Sequence, residues 1–301
     1  MKLTILGCHS ATPRINTNPT SQVLEIKNHM FLIDCGEGTQ VELRRNKVKF
    51  SRIKHIFISH LHGDHYFGLI GLVNTFSLLT RETELHIYAP KGLKEVITLQ
   101  MKLAGGWTRY ELIFHELSAT DSQLIYEDDK VEVHTIPLKH RIYTNGFLFK
   151  EKDNERKLDI NLVNEANINK AYFRKLKQGF DVENEDGVLI SNEKVTKDPV
   201  EAKSYAYCSD TVYNEAIIPT IEEATVLYHE STFLEKDKAR CSPTKHSTAS
   251  QAATIAKKAK VETLILGHYS TRYNDYNLFK MEAETVFDNV LLSKDGKSFE
   301  F

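Results

Sequence analysis

The sequence predicts a mixed α/β fold in which loops gather at the ends of β-strands. Short apolar, β-branched runs that end at turn signals predict strands at 3–6, 22–26, 30–33, 55–58, 85–89, 131–135 and 146–149. Apolar residues at helical spacing predict helices over 68–79 and 93–103. Later in the chain, predicted strands at 204–208, 225–229 and 263–266 alternate with a predicted helix at 250–259. Such alternation is typical of an α/β domain.

Composition is that of an ordinary globular protein. The chain has 301 residues, 41% hydrophobic and 27% charged, which suffices for one large domain carrying an insertion. Its net charge of -2 neither indicates nor excludes nucleic acid, because a local basic patch can bind phosphates. No apolar run reaches the roughly 18 residues of a membrane span, and the N-terminus has no apolar signal segment. We therefore expect a cytoplasmic protein with no membrane segment.

The four cysteines are spaced too far apart to suggest a cysteine motif. Cys8, Cys35, Cys208 and Cys241 form no CxxC pair, which disfavours both a disulfide framework and a structural zinc ribbon. We expect them to be reduced.

Residues 150–203 differ in character from the rest of the chain. Lys, Glu, Asp and Asn dominate there and apolar positions become sparse. A helical pattern at 164–177 is followed by a hairpin-like turn at Asp186-Gly187. We interpret this segment as an arm inserted into a single domain that spans 1–301.

The strongest chemical signal is the run His60-Leu61-His62-Gly63-Asp64-His65. It follows the apolar residues 56–58, so the loop at the end of a strand presents three imidazoles and a carboxylate. Zinc favours these ligands, and Gly63 gives the loop backbone freedom. A single histidine is usually structural, but a cluster this dense predicts a metal site.

This run resembles the HxHxDH signature of the metallo-β-lactamase superfamily, which implies a four-layered αβ/βα sandwich. Three more ligands expected by the resemblance follow predicted strands: His140, Asp210 and His268. Taken singly, His140 would be an ordinary histidine and Asp210 an ordinary turn residue. The resemblance assigns one zinc to His60, His62 and His140, a second zinc to Asp64, His65 and His268, and the bridging position to Asp210. Two Zn²⁺ per subunit would then generate a hydroxide that attacks phosphorus.

Further motifs resemble the ribonuclease Z family within that superfamily. Residues 227–233, Leu-Tyr-His-Glu-Ser-Thr-Phe, are similar to its HEAT/HEST element, and residues 245–248, Lys-His-Ser-Thr, to its HST element. Residues 5–7, 18–21 and 31–40 look like its opening motif. The resemblance implies a zinc-dependent endoribonuclease that removes 3′ trailers from precursor tRNA, leaving a tRNA 3′-hydroxyl and a 5′-phosphorylated trailer.

The same resemblance implies three catalytic residues. Asp64 is the family's general base, although as a zinc ligand it would act by orienting the attacking water. His246, positioned by Glu230, is the candidate acid for the departing ribose oxygen. The alternative is that His246 is a helix-entry residue, because Thr248 and Gln251 are typical of a capping box.

The arm would be the exosite that the family uses to bind tRNA, and the resemblance also implies a homodimer. A basic cluster there interleaves with Tyr172 and Phe173; its members are Lys170, Arg174, Lys175 and Lys177. They would contact phosphates of precursor tRNA, whereas without the resemblance they would be a solvated helix face.

Three segments differ from the usual family pattern. Residues 167–170 replace a Gly-Pro element of the arm, residues 7–10 read Gly-Cys-His-Ser where a Gly-Thr-Gly type turn is common, and residues 13–18 match the PxKxRN element only in part.

Two other classes of function compete with the ribonuclease hypothesis. One is a small-molecule phosphodiesterase or thioesterase of the same superfamily, because the metal ligands alone do not select a substrate. The other is an RNA-binding or scaffold subunit without catalysis, which is disfavoured because every expected metal ligand is present.

Overall fold

The computed structural model describes residues 1–12 and 14–301. Pro13, the first residue of the PxKxRN-like segment, lies outside the described residues. The chain separates into two compact units, a body formed by Met1–Lys150 with Ser204–Phe301 and an arm formed by Glu151–Lys203.

One seven-stranded mixed sheet of the body comes mainly from the first half of the chain. It contains β1 (Lys2–Gly7), β2 (Ser21–Ile26), β3 (His29–Cys35), β4 (Ile53–Phe57), β5 (Leu85–Pro90), β6 (Leu112–Leu117) and β18 (Ser298–Glu300), in the order β18-β1-β2-β3-β4-β5-β6. Strands β3 to β6 are parallel, whereas β18, β1, β2 and β3 pair antiparallel.

The second seven-stranded sheet carries the later strands. It contains β7 (Leu124–Glu127), β8 (Val131–Pro137), β9 (Asn145–Glu151), β14 (Ser204–Cys208), β15 (Val226–Glu230), β16 (Thr263–Gly267) and β17 (Val290–Leu292), in the order β17-β16-β15-β14-β9-β8-β7. Strands β14 to β17 are parallel, and β9 pairs antiparallel with β14.

The body also contains α-helices. They are α1 (Thr39–Arg45), α2 (Gly63–Tyr66), α3 (Leu69–Leu78), α4 (Leu93–Leu103), α8 (Ile218–Ile221), α9 (Cys241–Thr244), α10 (Ala249–Lys258) and α11 (Asn277–Glu284). None of the helices in the described residues is long and apolar enough to cross a membrane.

The alternation of side chains along each strand explains the layers. On β4, Phe57 packs between the sheets against Phe31 and Phe147, whereas its neighbour Ile56 belongs to the core under α3 and α4. A second set of helices, α10 and α11, packs on the other sheet through residues such as Ala252. The body therefore has four layers, as the αβ/βα sandwich requires.

Most predicted elements of the body are confirmed. The helix predicted at 93–103 is α4, that at 68–79 is α3, and that at 250–259 is α10. Strands β6, β7, β17 and β18 were not predicted. Strands β7, β17 and β18 have four residues or fewer, and β6 and β7 are only partly buried, so their apolar patterns are weak.

The arm is a small α/β unit with its own core. Its elements are β10 (Lys157–Leu158), α5 (Ile160–Glu165), α6 (Phe173–Lys177), β11 (Val182–Glu183), β12 (Leu189–Ile190), α7 (Asn192–Val195) and β13 (Thr196–Lys197). The buried core residues are Val163, Ile168, Leu176, Val182 and Val195. The predicted hairpin is confirmed, since β11 pairs with β12 around Gly187.

The single helix predicted over 164–177 is wrong. Helix α5 ends at Glu165, and Asn167 adopts a left-handed conformation with φ of 52°. Asn169 then caps a new turn by accepting a hydrogen bond from the backbone N–H of Ala171 at 3.0 Å. The two asparagines break the helix because their short polar side chains favour left-handed and capping conformations over the helix interior.

Candidate metal centre

The predicted metal ligands follow the ends of four body strands. His60 and His62 lie after β4, His140 after β8, Asp210 after β14 and His268 after β16. Strands β14 and β16 flank β15 in parallel register, so their carboxyl ends lie at one edge of the sheet. This edge brings together residues that are distant in the sequence.

The first group of ligand atoms contains three imidazoles and one carboxylate oxygen. Nδ1 of His62 lies 3.0 Å from Nε2 of His60 and 3.2 Å from Nε2 of His140. Oδ2 of Asp210 lies 3.6 Å from Nε2 of His60 and 3.7 Å from Nε2 of His140. The four side chains therefore converge closely enough to share one ion.

The second group shares the same aspartate through its other oxygen. Oδ1 of Asp210 lies 3.2 Å from Nε2 of His65 and 3.1 Å from Nε2 of His268. Oδ2 of Asp64 lies 3.5 Å from Nε2 of His65 and 3.6 Å from Nε2 of His268. Because its two oxygens face different groups, Asp210 has the geometry of a bridging ligand.

The donor set fits a divalent transition metal. The Nε2 atoms of His65 and His268 are buried and lack a hydrogen-bond partner in the described part of the chain, which a metal ion would supply. Two ligands on one zinc ion are separated by about 3.3 Å when their bonds are about 2.0–2.1 Å long, close to the separations found here. Burial, followed by the charge of His65, holds the pKa of His60 well below its ordinary value, which favours the neutral imidazole that a metal requires.

The second nitrogen of most of these histidines is fixed by a partner. Nδ1 of His60 lies 3.0 Å from Oγ of Ser59, Nδ1 of His140 lies 2.9 Å from the carbonyl oxygen of Lys245, and Nδ1 of His268 lies 2.9 Å from Oγ1 of Thr232. Such outer contacts set the orientation of each ring and the nitrogen that faces the metal.

Asp34 contacts the metal ligand His65 on the side away from the cluster. It was not predicted as a site residue from the sequence. Its carboxylate is fully buried, and Oδ2 lies 2.7 Å from Nδ1 of His65. The same oxygen accepts a hydrogen bond from the hydroxyl of Tyr207 on the opposite sheet at 2.5 Å. The available signal was an acidic residue directly after the apolar residues Phe31 to Ile33, where burial demands partners.

Three site residues adopt left-handed backbone conformations. The φ angles are 53° for Asp34, 50° for Asp210 and 59° for His268. Non-glycine residues in this region are uncommon and are concentrated at functional sites. Asp210 and His268 lie just after strands, whereas Asp34 lies within β3 at an irregularity of its pairing with β2.

Glu230 and His246 form a buried pair beside the ligands. Oε1 of Glu230 accepts hydrogen bonds from Nδ1 of His246 at 2.8 Å and from the backbone N–H of Thr211 at 2.8 Å. The His246 ring stacks on that of His268 at 5.2 Å. Burial lowers the pKa of His246, but the Glu230 carboxylate outweighs burial and raises it to about 9.

The predicted capping box is also present. The side chain of Thr248 accepts a hydrogen bond from the backbone N–H of Gln251, whose side chain accepts one from the backbone N–H of Thr248. His246 is therefore both a helix-entry residue and a partner of Glu230, so the two interpretations of this position are compatible.

The basic cluster of the arm is exposed. Lys170 lies in a short 3₁₀ turn, and Arg174, Lys175 and Lys177 lie on α6. Nζ of Lys175 lies 5.7 Å from the centre of the Tyr172 ring. Their exposure leaves these side chains accessible to a partner with negative charge, and Nζ of Lys177 also lies 3.9 Å from Oε2 of Glu155.

Comparison with known proteins agrees with the site. Ribonuclease Z from Bacteroides fragilis is 44% identical over 295 residues, covering 98% of this chain and 97% of that protein. Ribonuclease Z from Cytophaga hutchinsonii is 44% identical over 299 residues, covering 99% of this chain and 95% of that protein. The chain belongs to the ribonuclease Z family. Ribonuclease Z is a hydrolase of the metallo-β-lactamase superfamily.

Solved structures agree with this assignment. The crystal structure of human tRNase Z, short form, matches with a TM-score of 0.73 and 26% identity over 100% of this chain and 99% of that chain. The metallo-beta-lactamase fold protein YhfI from Bacillus subtilis matches with a TM-score of 0.69 and 19% identity over 99% of this chain and 98% of that chain. The metallo-β-lactamase fold predicted from the sequence is thus confirmed.

A family model described as Anti-Pycsar protein Apyc1 matches residues 1–289. This description differs from that of the ribonuclease Z relatives, so the comparisons alone do not identify the substrate.

Proposed function

We propose that this member of the ribonuclease Z family is an endoribonuclease that removes 3′ trailers from precursor tRNA. The observation that carries the proposal is a His/Asp cluster able to hold metal ions beside the buried Glu230–His246 pair. Relatives with 44% identity over nearly the whole chain carry the name ribonuclease Z. The products would be a tRNA 3′-hydroxyl and a trailer with a 5′-phosphate.

The cluster would hold two zinc ions per subunit, the first with His60, His62 and His140, the second with Asp64, His65 and His268, and Asp210 between them. When bound, such ions acidify water and neutralise the charge of the phosphodiester. Asp64 orients the attacking water through its carboxylate. The phosphorus–O3′ bond breaks in line with the attack.

His246 would protonate the departing O3′ atom of the tRNA. Glu230 accepts the Nδ1–H of His246, so Nε2 is the nitrogen that can exchange a proton with the substrate. Glu230 itself is held by the backbone N–H groups of Thr232 and Ser247 at 3.2 and 3.1 Å. A fixed acid of this kind typically contributes 10²–10⁴-fold to the rate.

The arm would bind the tRNA through Lys170, Arg174, Lys175 and Lys177. Their exposure and the adjacent Tyr172 ring suit contacts with phosphates and with the shape of folded RNA. Binding through phosphates makes affinity depend on salt concentration, which gives a quantitative test of the role.

Removing the arm tests the substrate assignment. Lys150 and Ser204 are paired opposite each other in the β9–β14 ladder, so a two-residue Asn-Gly turn can replace Glu151–Lys203 without moving the body strands. The armless protein should keep its turnover of a small phosphodiester and lose affinity for precursor tRNA. If it cleaves precursor tRNA as well as the full chain does, the arm has no RNA-binding role.

A matched pair of charge variants refines this test. Replacing Arg174 and Lys177 with glutamine should make the slope of log affinity against log salt concentration less steep by about 1.4–1.8. Each lost phosphate contact accounts for about 0.7–0.9 of this change. Neutralising Lys94 and Lys102, which are exposed on α4 of the body, should leave that slope unchanged. Equal changes in the two variants would contradict a specific role for the arm.

We also propose a homodimer in which the arm of one subunit holds tRNA for the active site of the other. The armless protein and a His60→Ala variant should each be inactive on precursor tRNA. Mixed in equal amounts with free exchange of subunits, they should recover about a quarter of normal activity, because only the mixed dimer has one competent site. Absence of recovery, with mixed dimers demonstrated, would place arm and site in the same subunit.

The second candidate is a small-molecule phosphodiesterase or thioesterase. The family model that matches residues 1–289 is described as Anti-Pycsar protein Apyc1 and not as ribonuclease Z, which supports a substrate other than precursor tRNA. It requires the metal cluster but not the arm. Efficient turnover of a small substrate by the armless protein, without precursor tRNA cleavage by the full chain, would favour it.

A further inference from the structure

A second group of metal-ligand atoms lies in the body outside the candidate metal centre. Cys8 and His9 follow β1, and Asp295 lies in the turn between β17 and β18. Sγ of Cys8 lies 3.3 Å from Oδ1 of Asp295, Nδ1 of His9 lies 3.5 Å from the same oxygen, and Sγ lies 3.9 Å from Nδ1. We propose that Cys8, His9 and Asp295 supply three ligands to a divalent transition metal of the zinc type.

The separations between these atoms suit ligands around one ion. Tetrahedral zinc with bonds of about 2.3 Å to sulfur and about 2.0–2.2 Å to nitrogen and oxygen places its ligands about 3.3–3.6 Å apart. The observed 3.3, 3.5 and 3.9 Å are close to these values. A direct hydrogen bond from His9 to Asp295 would be about 2.7–3.2 Å long, so 3.5 Å is too long for a strong one.

Two of the three proposed ligands, His9 and Asp295, are also held by partners, and Oδ1 of Asp295 itself accepts a hydrogen bond from the backbone N–H of Cys8 at 3.1 Å. Nε2 of His9 lies 3.1 Å from the hydroxyl oxygen of Tyr276. Oδ2 of Asp295 accepts hydrogen bonds from the backbone N–H and the side-chain amide of Asn18 at 2.6 and 3.1 Å. The contacts of Nε2 and Oδ2 occupy the atoms that face away from the proposed ion, as is usual around protein metal sites.

Burial and charge favour an ion at this position. Cys8 is fully buried and His9 is 5% exposed. A divalent cation would release the thiol proton of Cys8 to solvent and balance the charges of the Cys8 thiolate and the Asp295 carboxylate.

The site would fasten the loop after β1 to the loop that carries His268. The backbone N–H of Tyr269 donates to the carbonyl oxygen of Cys8 at 3.2 Å, and the backbone N–H of Ser10 donates to that of Tyr269 at 3.2 Å. Tyr269 directly follows His268.

Cobalt(II) spectroscopy tests the proposal directly. Metal-free full-length protein is titrated with Co²⁺ alone, and the near-ultraviolet thiolate-to-cobalt charge-transfer band is recorded. The His/Asp cluster has no sulfur ligand, so this band reports only on a thiolate site. We expect the band in the wild-type protein and in Cys241→Ser, which removes another buried free thiol, and its loss in Cys8→Ser.

Two further variants keep the test informative if Cys8→Ser fails to fold. Asp295→Asn and His9→Gln retain the thiol but each remove a direct ligand, so they should weaken cobalt binding at the thiolate site by more than the roughly 10–100-fold typical of losing an outer-shell partner. A wild-type protein that is folded and saturated with Co²⁺ but lacks the band would overturn the proposal, as would a band that persists in Cys8→Ser. Cleavage of RNA has no part in this measurement, so the outcome is independent of the proposed function.

Discussion

Replacing Asp34 with asparagine tests how strongly the metal centre depends on a buried residue that is not itself a ligand. Oδ1 of Asp34 accepts the backbone N–H of Ser59 at 2.7 Å, and Oδ2 accepts the Ser59 hydroxyl at 2.8 Å. The same Oδ2 also receives Nδ1–H of His65 and the hydroxyl of Tyr207 at 2.7 and 2.5 Å. Asparagine preserves the volume and tolerates the φ of 53°, so the change acts on charge and hydrogen bonding.

The size of the effect follows from the donors that are lost. In the variant, Oδ1 of the asparagine can still accept the backbone N–H of Ser59. The amide NH₂ then takes the place of Oδ2 and faces two hydrogen-bond donors, Nδ1–H of His65 and the hydroxyl of Tyr207. The Ser59 hydroxyl can rotate to accept a hydrogen bond from this NH₂. Hydrogen bonds to a charged group contribute about 1.5–3 kcal/mol each, so two lost bonds predict a decrease of about 3–6 kcal/mol in the free energy of unfolding. His65 would also favour the tautomer with hydrogen on Nε2, which should weaken metal affinity about 10–100-fold.

Urea denaturation and competition with a chromogenic zinc chelator measure the two effects. Asp128→Asn is the matched control, because Asp128 also contacts a histidine, His29, at 2.8 Å, but that histidine is outside the candidate metal centre. The control should retain wild-type zinc affinity. An Asp34→Asn protein whose zinc affinity lies within about threefold of wild type, well short of the 10–100-fold typical of such contacts, would refute this reasoning.

Three more predictions follow from the described contacts. Glu230→Gln should lower kcat on precursor tRNA about 10²–10⁴-fold and leave the amount of bound metal unchanged. Single-turnover cleavage and metal analysis measure the two quantities. An unchanged kcat would contradict the role of His246 as the acid. Burial, followed by the charge of His86, lowers the pKa of His55 from 6.5 to about 3. Between pH 6.5 and pH 3 the folded state therefore binds fewer protons than the unfolded chain. The free energy of unfolding should fall as the pH is lowered through this range. Between pH 7 and pH 4.5, the unfolding free energy of His55→Gln should therefore fall by about 2–3 kcal/mol less than that of wild type, and equal losses in the two proteins would contradict this. Removing metal with a chelator should lower the melting temperature of the full chain and zinc should restore it, whereas a melting temperature independent of metal would argue against ions in the His/Asp cluster.

The sequence predicted the parts of the molecule that depend on local pattern. The run from His60 to His65 is contiguous, and His140, Asp210 and His268 each follow an apolar run that is recognisable as a strand. The structure brings these side chains within contact distance because parallel strands end at the same sheet edge. Helix α4 was predicted at its observed ends because its apolar spacing is regular.

Features that depend on distant contacts were not predictable. Asp34 meets Tyr207, which is 173 residues away, across the two sheets, and Asp295 meets Cys8 across 287 residues. No local pattern in the sequence encodes either pairing. The prediction of one helix over 164–177 was wrong for a local reason. The left-handed conformation of Asn167 and the capping role of Asn169 interrupt an otherwise continuous helical pattern.

Cleavage of precursor tRNA with simultaneous metal analysis tests the central claim most directly. Purified protein loaded with zinc is incubated with end-labelled precursor tRNA and, separately, with a small phosphodiester, and His60→Ala serves as the control. The account predicts one cut beside the discriminator nucleotide, a tRNA 3′-hydroxyl, a 5′-phosphorylated trailer, and joint loss of zinc and cleavage in the variant. Hydrolysis of the small phosphodiester without cleavage of precursor tRNA would contradict it.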